Sequence, residues 1–212
     1  MVRVKICGIT RKEDLDVAVQ AGADAVGFIV DVATSPRNLS LKDAKNLIDK
    51  LPSNVDSVAV TVFNRIQRIT TIFRTLTPSY IQLHGRLPMP GHREKLASQA
   101  KVITAVDAKA SNAIEEAISY SEFSQAVLVD THGRGGLGGT GHTHDWNLSR
   151  KIRDAIYPKH MFLAGGLTPK NVSSAIKKVR PYGVDVSTGV EVRPGIKDPM
   201  KTTEFIMNVK GG

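Results

Sequence analysis

The chain is an unbroken alternation in which short β-like runs and helix-like stretches follow one another from end to end, eight of each. Runs at residues 2–6, 25–30, 55–62 and 80–83 lead into helical patterns at 11–21, 41–51, 66–76 and 94–100. The remaining runs, 101–106, 126–129, 161–164 and 183–186, lead into 112–120, 146–156, 170–179 and 200–209. The helical stretches place apolar residues on one face, as in Ala44, Leu47, Ile48 and Leu51 or Ile66, Ile69 and Phe73. Strands joined by crossover helices form a parallel sheet, because each helix carries the chain back to the same end. An open doubly wound sheet competes with a closed barrel. Eight units in 212 residues, with polar groups at the end of nearly every run, favour closure. The expectation is an α/β chain forming a single-domain (β/α)8 TIM barrel over residues 1–212.

Composition narrows the class. A hydrophobic share of 41% with 23% charged residues supplies a globular core. The longest apolar runs, such as residues 25–30, are too short to cross a bilayer, and Arg3 and Lys5 interrupt any leader-like segment at the start. A cytoplasmic protein without membrane contact is expected. The lone cysteine, Cys7, cannot form an internal disulfide and is left for packing or chemistry. The net charge of +9 raises nucleic acid as a partner. Basic residues are instead scattered over helices (Lys42, Lys45, Lys50; Lys170, Lys177, Lys178, Arg180), and 5% aromatics give no stacking platform. Solvated helix faces and attraction of a small polyanion explain the charge without nucleic acid.

In a barrel, residues just after each run gather at one mouth, here Cys7, Arg37, Asn64, His84, Asp107, Asp130, Gly165, Gly166, Ser187, Thr188 and Gly189. Cys7 sits where a strand stops, with Gly8 breaking the run and Thr10 placed to cap the first helix. Gly165 and Gly166, ahead of a helix opened by Thr168-Pro169, let backbone approach an anion, and Ser187, Thr188 and Gly189 offer hydroxyls and N–H groups. Loops after the seventh and eighth strands are where barrels commonly hold a phosphoryl group. Turns built with glycine are the plainer account of each pair. A third loop, residues 133–141, carries six glycines, among them Gly139 and Gly141, and follows Asp130. It suits a lid over a proton-transfer site, although Asp130 also fits a helix cap or turn. His132, His142 and His144 lie on or beside that loop, too poorly pre-organised for a metal site, so no metal is expected.

Lys5-Ile6-Cys7-Gly8-Ile9-Thr10, Ser35-Pro36-Arg37, Gln82-Leu83-His84-Gly85, Leu128-Val129-Asp130 and Gly138-Gly139-Thr140-Gly141 occur in this order. Asp145-Trp146, Ala164-Gly165-Gly166-Leu167 and Asp185-Val186-Ser187-Thr188-Gly189-Val190-Glu191 follow them. Together they resemble the motifs of the phosphoribosylanthranilate isomerase family along nearly the whole chain. The resemblance implies an Amadori rearrangement of N-(5-phosphoribosyl)anthranilate to 1-(2-carboxyphenylamino)-1-deoxyribulose 5-phosphate in tryptophan biosynthesis, with no metal or organic cofactor. It also implies Cys7 as general base and Asp130 as general acid. The chemistry agrees, since an aldose-to-ketose shift needs one proton delivered to the ring oxygen and another taken from C2. Arg37 suits the anthranilate carboxylate, because a guanidinium fork holds a planar carboxylate through two parallel bonds.

His84 is read either as pocket lining or as a hydrogen-bonded histidine, and Asp185 as a mouth-ordering, sugar-contacting or buried structural acid. Lys5 shares the strand face of Cys7, but a long cation inside a barrel is usually engaged elsewhere, so no direct help to the thiol is read from it. Two local departures from the family pattern are Arg86, where an acidic residue is usual, and residues 31–34, where aromatic or basic residues are common. Rival readings are another phosphosugar isomerase or epimerase barrel, or a non-catalytic basic barrel that binds a ligand or nucleic acid. The partner expected is a small phosphorylated substrate, and a monomer and a homodimer both fit the sequence.

Overall fold

A computed structural model of the chain describes residues 1–63, 65–85, 90–131 and 145–211. Its barrel strands are β1 (Arg3–Cys7), β2 (Ala25–Val30), β3 (Asp56–Val62), β4 (Tyr80–His84), β5 (Val102–Asp107), β6 (Ala126–Asp130), β7 (His160–Leu163) and β8 (Gly183–Val186). The helices are α1 (Lys12–Gln20), α2 (Leu41–Ile48), α3 (Ile66–Leu76), α4 (Pro90–Gln99), α5 (Ala113–Ser121), α6 (Trp146–Ile156), α7 (Val172–Val179) and α8 (Pro199–Lys210). Each strand runs parallel to its neighbour, and β1 pairs with both β2 and β8, which closes the sheet into the expected barrel. Lys5 lies opposite Ala25 on one side and Asp185 on the other.

Closure decides which face of each strand is inside. Val4 and Ile6 of β1 point outward into the layer shared with the helices, where they join Leu15, Phe28, Ile69 and Phe205, all essentially inaccessible. The alternate face, carrying Lys5 and Cys7, points into the barrel, whose apolar filling is Ala25, Val58, Val60, Ile103, Ala126, Leu128 and Phe162. A strand that reads as apolar-inside and polar-outside therefore holds its lysine in the interior, because parallel barrel strands are buried on both faces.

Local rules account for most helix ends. Ser40 caps α2 by accepting from the Asp43 N–H, Asp145 caps α6, and Asp198 followed by Pro199 opens α8. Two expected caps are corrected. Arg11, not Thr10, occupies the N-cap position of α1, and Thr10 Oγ1 instead donates to the Gly195 carbonyl at 2.5 Å. Likewise α7 begins after Asn171 rather than at Lys170; Asn171 accepts from the Thr168 N–H at 2.8 Å and donates to the Gly166 carbonyl at 2.9 Å, tying down the loop. The hairpin of Glu191–Arg193 with Ile196–Lys197 was not foreseen, since neither run is long enough to show a period. No described helix is long and apolar enough to cross a membrane.

The outer layer should dominate stability. Phe205→Ala, in a fully buried ring position of α8, is expected to cost about 3–5 kcal/mol by urea unfolding.

Candidate active site

Cys7 is the last residue of β1, 6% exposed, with its sulfur turned into the barrel mouth. The chain then turns at Gly8, whose φ of +74° is a conformation open to glycine. A side chain there would also strike Arg37, with a Cβ only 2.6 Å from its Cδ and 2.9 Å from Ser187 Oγ. Thus the loops after β1, β2 and β8 meet at one point.

Arg37 is brought to the mouth, but it is already engaged. Its Nε and Nη2 donate to Glu191 at 2.8 and 2.5 Å, and both side chains are almost fully buried. Lys197, 1% exposed, donates from Nζ to the same carboxylate at 3.0 Å and to the Ser187 carbonyl at 3.1 Å. Its backbone N–H goes to Asp14 in α1 at 3.0 Å. Burial acts to raise the Glu191 pKa, yet Arg37 and Lys197 outweigh it and hold the carboxyl below the usual range. Burial pushes Lys197 down despite Glu191, while Glu191 keeps Arg37 above its ordinary value. The Nε edge of the fork is thereby spent on the protein, and the Nη1–Nη2 edge is the one suited to a ligand carboxylate.

Asp130 ends β6 with Oδ1 accepting from the Thr131 N–H at 2.6 Å, and among the described residues it caps no helix. His84 ends β4 and its Nε2 accepts from the Gln82 amide Nε2 at 2.7 Å, since an amide nitrogen only donates. Burial holds His84 below its usual pKa and Lys5 adds to this, while the charges of Asp130 and Asp185 oppose it. His84 therefore stands within the fields of β1, β6 and β8 at once. Asp185, 7% exposed, accepts from Lys5 Nζ at 2.8 Å.

Gly165 and Gly166 both adopt positive φ, +80° and +65°, and a Cβ on Gly165 would lie 2.8 Å from the Thr131 nitrogen, so the loop after β7 rests on the start of the loop after β6. At Gly189 a Cβ would overlap the Leu167 carbonyl, which sets Ser187, Thr188 and Gly189 directly beside it. The two glycine-bearing loops form one patch of half-buried backbone. Gly139, Gly141, the rest of 133–141, the histidines 132, 142 and 144, Asn64 and Arg86 lie outside the described residues. Among the described residues no cluster suited to a metal occurs. Asp31, one of the departures from the family pattern, takes φ +59° and pairs with Arg68 of α3 through two 2.8 Å bonds.

Glu191 and Lys197 were missed as members of the site. Glu191 stood inside a recognised motif, but nothing in the chain's spacing ties it to Arg37, 154 positions away. Glu191→Gln should cost about 3–5 kcal/mol, because it leaves two buried cations without their carboxylate. Since the folded pKa of Glu191 is depressed, its stabilisation is present above about pH 4.5 and lost as pH falls through the folded value. Acid unfolding of the variant should accordingly be less steep below pH 4.5, as followed by circular dichroism.

A family model described as N-(5'phosphoribosyl)anthranilate (PRA) isomerase matches residues 4–208. The N-(5'-phosphoribosyl)anthranilate isomerase of Methanothrix thermoacetophila is 42% identical over 212 residues, covering 99% of both chains. That of Thermotoga petrophila is 44% identical over 211 residues, covering 100% of both. Among solved structures, phosphoribosyl anthranilate isomerase from Thermotoga maritima superposes with a TM-score of 0.89 at 41% identity over 100% of both chains. A phosphoribosyl anthranilate isomerase in complex with reduced 1-(o-carboxyphenylamino)-1-deoxyribulose 5-phosphate gives 0.86 at 40% identity, again over 100% of both. With the barrel closed as the alternation favoured, these full-length matches show that the chain belongs to the N-(5'-phosphoribosyl)anthranilate isomerase family.

Proposed function

We infer that this protein isomerises N-(5'-phosphoribosyl)anthranilate to 1-(2-carboxyphenylamino)-1-deoxyribulose 5-phosphate, a step of tryptophan biosynthesis. One observation carries the reading beyond the family match: Cys7 and Asp130 terminate two parallel strands of one ring, and so stand at the same mouth, beside a two-loop patch fit for an anion. In the reaction Asp130 gives its proton to the furanose oxygen, the C1–O bond breaks, and an open-chain iminium forms. Cys7, as thiolate, removes the C2 proton; the electron pair moves to C1–C2 and quenches the iminium, and the resulting enolamine tautomerises to the amino ketone. Each step is a proton transfer between substrate and side chain, so the chemistry calls for no metal or organic cofactor.

The remaining groups hold the molecule. The outer edge of Arg37 takes the anthranilate carboxylate as a bidentate pair. Gly165, Gly166, Ser187, Thr188 and Gly189, with Gly139 and Gly141 from the glycine-rich loop, take the phosphate through backbone N–H groups and hydroxyls. Asp185 and His84 face the sugar between them. The whole chain, residues 1–212, acts as one catalytic domain on a small phosphorylated molecule, and the lone reduced thiol fits work in the cytoplasm.

Anthranilate fluorescence reports its own conversion when freshly made phosphoribosylanthranilate is added, and absence of any change in the native protein would refute the reading. In that assay Cys7→Ser and Asp130→Asn should each lower kcat by about 10²–10⁴-fold with unchanged circular dichroism, and wild-type turnover in either would remove its assigned role. Arg37→Lys keeps a charge against Glu191 but loses the fork. It should raise KM by roughly 10-fold or more while kcat falls less, as expected for a lost charge-assisted bond of about 1.5–3 kcal/mol.

A further inference from the structure

Lys5 is among the most deeply buried side chains of the molecule and has no part in the proton transfers above. A lysine in a barrel interior is costly unless its charge is matched, and the match here is Asp185, opposite Lys5 in register on β8 and bonded to it at 2.8 Å. Burial acts to lower the Lys5 pKa, but Asp185 and Cys7 together outweigh it and hold the ammonium above its usual value.

The ammonium also has a second neighbour. Opposite Cys7 on β2 stands Gly27, and a Cβ there would lie 2.8 Å from Cys7 Sγ and 3.1 Å from Lys5 Nζ. Sulfur and nitrogen thus share the space a side chain would fill, side by side over a bare stretch of backbone. The sequence expectation that Lys5 is engaged elsewhere is half met: it is bonded to Asp185, yet it faces the thiol as well.

We propose that Lys5 is a positioning residue for Cys7, its ammonium fixed by Asp185 over the sulfur as the standing countercharge of the thiolate. The inference rests on Cys7 acting as the base, and the reaction shows why such a group is needed. A thiol 6% exposed loses the water that would stabilise its anion, and burial pushes its pKa up. Against that rise stands Lys5 first, and Asp185 partly cancels it before Lys197 adds its own positive field. Arg37, from the loop after β2, also feels the Cys7 charge. Lys197 and Arg37 are both tied to Glu191, whereas Lys5 Nζ and Cys7 Sγ border the same point above Gly27. Lys5 keeps its proton throughout; it sets how readily Cys7 gives up its own.

The single cysteine makes the test direct. Cysteine labelled with 13C at Cβ gives one resonance, whose shift against pH, recorded without substrate, reads the Cys7 titration alone. Lys5→Met should move the midpoint up by about one to three pH units. An unchanged or lowered midpoint in folded Lys5→Met overturns the proposal. Should Lys5→Met not fold, the double variant Lys5→Met/Asp185→Asn removes the pair together; because Lys5 acts on the thiol more strongly than Asp185 opposes it, its midpoint should still lie above that of the wild type, and a midpoint at or below it would be equally fatal. Because no substrate is present, these outcomes stand apart from the isomerase assay: shifts of the stated sign in a protein that converts no phosphoribosylanthranilate would remove the reaction and leave the countercharge.

Discussion

The pairing of β1 with both β2 and β8 is the constraint on which the rest of the structure depends. An open sheet would leave β1 without β8 beside it, and the face that carries Lys5 and Cys7 without Asp185 opposite. Closure instead turns that face into a dry interior, where every charge must find a partner. Lys5 finds Asp185 on the strand that completes the ring, so the strand pairing and the ion pair are two aspects of one event. The bareness of Gly27 on the other flank leaves room for the lysine head and the sulfur together.

Around this centre the fold and the site share residues. Glu191 joins Arg37 from the loop after β2 to Lys197 from the hairpin, and Lys197 reaches α1 through Asp14. These bonds fix the loop after β8 against the loops after β1 and β2, much as Gly189 and Leu167 seat it against the loop after β7. Arg37 consequently cannot be treated as a free surface guanidinium waiting for substrate. Its orientation is set by a buried carboxylate, which gives a ligand only the outer edge of the fork, and fixed donors of this kind bind with less loss of side-chain freedom.

The electrostatics of the mouth sort its residues by neighbour rather than by type. Lys5 and Lys197 are both buried lysines, yet Lys5 is held above its usual pKa and Lys197 below it. The difference lies in company: Lys5 meets Asp185 directly, whereas Lys197 shares Glu191 with Arg37, whose positive charge works against it. His84 is kept toward neutrality by burial, with Asp130 and Lys5 acting on it in opposite directions.

How much of this was legible in the sequence depends on the range of the interaction. The alternation of β and helical periods is local, so the strands, the ends that carry Cys7, His84 and Asp130, and a preference for a closed barrel were legible in the chain. Loop glycines at 165 and 166 were readable because their φ is a property of the residue itself. Pairings are another matter. Lys5 with Asp185 spans 180 positions, Lys197 with Asp14 183, and Arg37 with Glu191 154, and no periodicity records such distances. The residues by themselves determined which chemistry could be present; only the closed ring, by bringing its first and last strands together, decided which charges face one another and therefore which side chains hold the others ready.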